Sequence, residues 1–165
     1  MPTQASTKKN TFHIGNSVSK LSGLAADGEL VRLRDFQGKY LVIYFYPKDQ
    51  TPGCTRQALD FRDLYSEFES RNTAVIGVSR DSLKSHQNFQ RKQELPFPLI
   101  ADTEEVWCQA FGVIQEKQLY GRRYIGLVRS TFLIDPKGKL CHEWRNVKVP
   151  GHVKSVLDYL DTLAP

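Results

Sequence analysis

Seven consecutive residues, Tyr40–Tyr46 (YLVIYFY), are aromatic, leucine or β-branched, with no charge among them. Such a run predicts a central β-strand buried on both faces. It is far too short for a membrane span, which needs about 20 residues. A strand covered on both sides needs layers above and below it, and helices supply them most simply when strands and helices alternate along the chain.

The rest of the sequence shows that alternation. Glu29–Leu33 after the Asp27-Gly28 turn, Thr73–Ser79, Leu99–Ala101, Arg129–Asp135 and Lys139–Val147 read as strands, the last two joined through Pro136-Lys137-Gly138. Helices are predicted at Thr55–Ser70, from a cap at Asp81 to Lys92, at Glu104–Phe111 and at His152–Leu163. In the first, Phe61, Leu64, Tyr65 and Phe68 fall on one helical face; Val153, Val156, Leu157 and Leu160 do so in the last. The expected class is α/β, with a mixed central sheet flanked by helices. Residues 1–12 read as a flexible tail and 13–165 as one domain. A chain of 165 residues suits one core.

Charge excludes little. The balance of 23 basic against 18 acidic residues gives +5, but the basic residues are scattered, with no tract or motif for nucleic acid. Cysteine says more. Cys54, Cys108 and Cys141 form no CxxC pair, and an odd set leaves a thiol unpaired within the chain. With no apolar signal in the first residues, the expected setting is the reducing cytoplasm.

Cys54 is the cysteine placed for chemistry. The segment from Tyr44 to Thr55, YFYPKDQTPGCT, joins the buried strand to an amphipathic helix. Cys54 therefore lies at a helix start, where unpaired amides and the positive dipole end favour an anion. For a thiol, that bias favours the nucleophilic form. Thr51 can reach the sulfur or a substrate oxygen, Pro47 can screen it from water, and Gly53 allows close backbone approach. Tyr44 and Phe45 can wall the site. Position alone leaves a plain alternative, a cysteine and threonine that only cap the helix.

Pro47-x-x-x-Thr51-x-x-Cys54 resembles the active-site pattern of peroxiredoxins. The stretches DFQGKYLVIYFYPKDQTPGCT, VIGVSRDS, FPLIAD, VRSTFLIDPKG and WRNVKVPGHV are similar to the Q-type branch, the bacterioferritin-comigratory proteins. The resemblance runs from about Val18 to Leu163. It implies a thioredoxin-like fold, with which the order of elements is compatible, and a thiol-dependent peroxidase acting on hydrogen peroxide and organic hydroperoxides without metal or organic cofactor. By motif position Cys54 is the peroxidatic cysteine, Thr51 positions the peroxide, Pro47 shields the site, and Arg129 stabilises the thiolate and polarises the peroxide. Read without the resemblance, Arg129 is an ordinary strand-edge charge.

The sequence departs from that branch where a second, resolving thiol is usual. Leu59 occupies the position five residues after Cys54, and Gln90 the position on the next helix. A one-cysteine cycle follows, with an external reductant: thioredoxin, glutaredoxin or a small thiol. Cys108 and Cys141 remain as unusual resolving candidates. Cys108 otherwise reads as a buried hydrophobe. Cys141 shares strand phase with Glu143 and Arg145 and is expected to face solvent. His13, His86, His142 and His152 lack metal-ligand spacing and read as surface or capping residues; Trp107 and Trp144 read as core. The expected assembly is a monomer with no nucleic-acid or membrane partner. The competing reading is a redox sensor or interaction protein on the same fold, with poor turnover.

Overall fold

A computed structural model describes residues 11–163. At its centre lies β3 (Tyr40–Phe45), and Leu41–Phe45 are buried on both faces as the apolar run requires. It pairs in parallel with β4 (Thr73–Ser79), which pairs in parallel with β5 (Leu99–Ala101). On its other side it pairs antiparallel with β8 (Ser130–Ile134), and β8 with β9 (Leu140–Arg145). The mixed sheet therefore has the order β5-β4-β3-β8-β9. Two small ribbons stand apart from it: β1 (Ser22–Leu24) with β2 (Leu30–Arg32), and β6 (Ile114–Leu119) with β7 (Arg122–Leu127).

Alternation along the strands sends side chains into two apolar layers. One layer packs Val42, Tyr44, Val75 and Leu133 against α1 (Pro52–Asp63), α2 (Tyr65–Ser70), α3 (Leu83–Gln93) and α5 (His152–Leu163). The other packs Ile43, Phe45, Ile76 and Phe132 against Trp107, Cys108 and Phe111 in and after α4 (Val106–Ala110). Each fully buried aromatic, such as Phe61 or Phe132, contributes about 1.5–3 kcal/mol by leaving water.

Several expectations are corrected. The segment 55–70 holds two helices, because the chain leaves helical geometry at Leu64 (φ −105°, ψ 13°). Ser82, rather than Asp81, caps α3: its Oγ accepts from Ser85 N at 3.1 Å. Arg129 precedes β8 instead of opening it. The β6–β7 hairpin was not foreseen; its two-residue link, Tyr120-Gly121, has positive φ at both positions (53° and 77°), which matches the twist of a tight hairpin.

Phe12, assigned by sequence to the tail, is hydrogen-bonded to Ala110 O at 2.8 Å and packs edge-on against Phe111. The tail's residues 1–10 lie outside the described residues. A bulge at β8–β9 pairs Leu140 with Ile134 and His142 with Leu133, leaving Cys141 between them. This resets the alternation and turns Cys141 toward the α5 layer, away from the solvent-facing phase expected for it. Phe45 faces the layer opposite Cys54 and so is not a wall of that site.

Candidate active site

Where β3 ends, the loop over residues 46–51 carries the chain to α1. Thr51 is the N-cap with extended backbone (φ −82°, ψ 154°), and Pro52 takes the first helical position, where a missing amide hydrogen costs nothing. The first helical bond runs from Thr55 N to Thr51 O, at 2.9 Å. Gly53 and Cys54 thus present amide hydrogens with no acceptor inside the helix. These are the donors the sequence reading expected. The Thr51 hydroxyl donates to Lys48 O at 2.8 Å. Its proton is engaged, so the oxygen is left to accept from a substrate O–H.

Cys54 is 1% exposed. It is not sealed in hydrocarbon: Arg129 Nη2 donates to its Sγ at 3.5 Å. The guanidinium is held from its other arm, where Nη1 donates to Gln57 Oε1 at 2.6 Å. Gln57 lies one helical turn beyond Cys54 on the same face of α1. A side chain at position 53 would put its Cβ 3.3 Å from Arg129 Nη2, so Gly53 lets the arginine close over the helix start. Pro47 is half-buried on the loop. Tyr44 is fully buried among the residues packed with Cys54 and lies behind the sulfur layer, not at a solvent-facing wall. Its hydroxyl and the Gln57 amide nitrogen are buried and have no hydrogen-bond partner among the described residues. Each such orphan costs about 1–3 kcal/mol.

Two more basic groups bear on the site. Lys117 of β6 is held below its usual range by burial and by the charges of Arg129 and Arg80, with Cys54 acting in the opposite sense. His152, at the start of α5, is lowered to about 4 by burial and then by Arg129; its Nε2 lies 2.8 Å from Thr131 Oγ1. It is therefore neutral near pH 7 and leaves Arg129 as the cation on the sulfur. His152 and His86 are buried, which corrects the surface reading of both; His142 stacks on Tyr159.

A buried network fixes the loop. Asp49 accepts from the Tyr46 hydroxyl at 2.6 Å and from Ser85 Oγ at 2.8 Å, and His86 Nδ1 lies 2.7 Å from its Oδ2. The second ring nitrogen of His86 meets Ile100 O at 2.9 Å, and Asp49 N donates to Asp81 Oδ2 at 2.8 Å. Ligand atoms of Asp49, Asp81 and His86 lie within 4.8 Å of one another, but each acts as a hydrogen-bonding partner that ties the loop to α3 and β4. The loop needs such ties because Gln50 is held at φ 67°.

The other cysteines are placed apart. Cys108 belongs to the layer on the far side of the sheet, and its thiol is pushed far up by burial and then by Asp102. Cys141 lies near Tyr40 and Asp135, at the other end of the strand direction, and is raised to about 11 by burial and then Asp135. Leu59 is half-buried on α1, and Gln90 donates through Nε2 to Phe97 O at 2.8 Å.

Among these residues, Gln57 was legible in principle, since it follows Cys54 by three on a predicted helix. Lys117 was not, because its hairpin gave no periodic signal. Asp49 and His86 meet only through the fold, 37 positions apart.

Residues 14–143 match the sequence profile of the AhpC/TSA family. Peroxiredoxin Bcp of Xanthomonas campestris is 52% identical over 79% of this chain and 81% of its own length. Peroxiredoxin Bcp of Bacillus subtilis is 46% identical over 93% and 98%. Among solved structures, the bacterioferritin comigratory protein of Xanthomonas campestris, studied for alkyl peroxide reduction activity, superposes with a TM-score of 0.87 at 45% identity, covering 93% of this chain and 98% of that one. A cysteine-to-serine mutant of Xylella fastidiosa PrxQ gives 0.88 at 42% identity, with the same coverage.

Proposed function

This chain belongs to the AhpC/TSA family and is a peroxiredoxin, a thiol peroxidase, and we propose that Cys54 is its peroxidatic residue, working in a one-cysteine cycle. The observation that carries the reading is the Cys54 Sγ beside Arg129 Nη2 at 3.5 Å, at a helix start with two free amides.

The peroxide enters beside Thr51, Gly53 and Arg129, the half-buried residues over the sulfur. Thr51 Oγ1 accepts from the peroxide O–H. Arg129 and the amides of Gly53 and Cys54 stabilise the charge that develops as the O–O bond stretches. The thiolate attacks one oxygen in line. An S–O bond forms, the O–O bond breaks, sulfur loses two electrons, and the leaving hydroxide or alkoxide takes up the proton that Cys54 released on ionising, to become water or an alcohol. Cys54 is left as a sulfenic acid. Pro47 limits water at the sulfur.

Regeneration falls to an external thiol of the thioredoxin, glutaredoxin or small-molecule kind. A disulfide needs Cα atoms within about 7 Å; Cys108 lies across the sheet and Cys141 at its far end. By analogy with the Xanthomonas protein, alkyl hydroperoxides are substrates beside hydrogen peroxide. The resemblance to the Q-type branch supports a monomer as the working unit, and three free cysteines suit a reducing compartment such as the cytoplasm.

One equivalent of peroxide without reductant, followed by intact and peptide mass spectrometry, tests the assignment. The expected product carries one added oxygen on Cys54. A disulfide to Cys108 or Cys141 overturns the one-cysteine cycle, and an unmodified Cys54 overturns the site. Sustained peroxide consumption with thioredoxin separates the enzyme from a sensor, which oxidises once and stalls.

A further inference from the structure

Two buried donors without partners among the described residues belong to the elements that hold Cys54: Tyr44 in its apolar layer and Gln57 on its helix. Gln57 and Tyr44 are both 0% exposed. Gln57 turns its carbonyl to Arg129, because a guanidinium only donates, so its amide nitrogen is directed elsewhere and finds nothing among the described residues. Tyr44 stacks on Phe61 with ring centroids 4.5 Å apart, and its hydroxyl fills the space left by Gly77, where a Cβ would sit 3.0 Å from it. The neighbouring Tyr46 differs: its hydroxyl is satisfied by Asp49. A phenylalanine at 44 would keep the packing and remove the orphan. The hydroxyl is also held firmly protonated, chiefly by burial and next by Cys54, so it is a permanent donor.

We infer that Tyr44 Oη and Gln57 Nε2 form the receiving site for the oxygen atom that Cys54 takes from peroxide, each donating a hydrogen bond to the sulfenate oxygen. This rests on Cys54 being the peroxidatic residue. In the reduced protein neither donor makes a hydrogen bond to the sulfur, and both stay unpaired. Once the S–O bond has formed and the alcohol or water has left, Cys54 carries a compact oxygen acceptor, one bond further from its Cβ, and rotation about Cβ–Sγ carries that oxygen from the side on which the peroxide entered to Tyr44 and Gln57. The oxidised state then regains hydrogen bonding that the reduced state lacks. In a chain without thiols at 59 and 90, this gives the sulfenate a lifetime long enough to meet an external donor.

The test is a cycle of oxidation against substitution. Wild type and Tyr44→Phe are each melted in the reduced form and after one equivalent of hydrogen peroxide, with mass spectrometry confirming a single oxygen on Cys54. Wild type is expected to melt higher when oxidised. Tyr44→Phe is expected to raise the reduced Tm by roughly 2–4 °C and to lose most of the gain on oxidation. Capture of the sulfenic acid by dimedone should run several-fold faster in Tyr44→Phe, because the oxygen is no longer held. Equal oxidation gains in the two proteins, or equal dimedone rates, overturn the receiving site while leaving Cys54 in its role. If peroxide leaves the wild-type Cys54 unmodified, the assignment of Cys54 falls, and this inference falls with it.

Discussion

Cys54 and Cys108 each occupy the third residue of a helix, α1 and α4, and each is almost fully buried. Their surroundings are opposite in sign. At α1 the first amides meet no acceptor among the described residues, and a guanidinium reaches the sulfur. At α4 the Asp102 carboxylate already fills the equivalent place, accepting from Trp107 N at 3.1 Å and Cys108 N at 2.8 Å. One helix start is open to an anion and the other is already satisfied by one. Burial therefore does not tell apart a cysteine that meets open donors from one that does not. What decides is whether the nearby donors have been claimed.

The largest effect should come from Cys54→Ser, which removes the nucleophile: peroxide consumption with thioredoxin should fall roughly a thousandfold or more with the fold retained by circular dichroism. Activity within tenfold of wild type would break the contrast at its root. Next, Arg129→Ala should slow oxidation of Cys54 in stopped-flow by roughly 10²–10³. Arg129→Lys should recover only part of this, since an ammonium cannot fork between Gln57 and the sulfur.

Asp102→Ala addresses the other helix. It leaves two buried amides unpaired, so unfolding stability should drop by about 2–6 kcal/mol. The Cys108 thiol should titrate lower, because one of the causes raising it is gone; burial, the larger cause, remains. Iodoacetamide labelling against pH reads this, and an unchanged profile would remove Asp102 from the comparison.

His152 gives a smaller effect, spread over pH. Its folded value of about 4 lies below the unfolded 6.5, so the unfolded chain binds the extra proton between them. The stability it contributes is complete above about 6.5 and is lost as pH falls toward 4. Urea melts of wild type and His152→Gln across that window should converge at low pH. Smallest of all, Cys141→Ala should change turnover less than twofold.

Much of this contrast was written in the order of residues, and part was not. β3, β4, β5 and α5 follow from runs and periodicities that burial enforces. Cys54, Thr51 and Gly53 were legible because a strand, a breaker and an amphipathic helix fix a helix start. Arg129 came from resemblance; as a bare residue it reads as a surface charge, and only the fold brings it onto the sulfur. The β6–β7 hairpin escaped because its strands are largely exposed and carry no alternating apolar face. Cys141 was misplaced because a bulge shifts phase by one residue and leaves no trace in composition. His86 and Asp49 were missed because pairing across distant segments has no local signature.

The polar stitch from Gln90 to the carbonyl of Phe97 stands where the resemblance to the Q-type branch leads one to expect a thiol. A cycle that never needs to bring that position to Cys54 asks no helix to unravel. Backbone deuterium uptake and protease nicking over α1 and α3 should then look alike before and after a single oxidation. In the one-cysteine cycle proposed for Cys54, the sulfenic acid waits on a collision with an outside electron donor, so turnover should rise with the amount of that donor its surroundings hold.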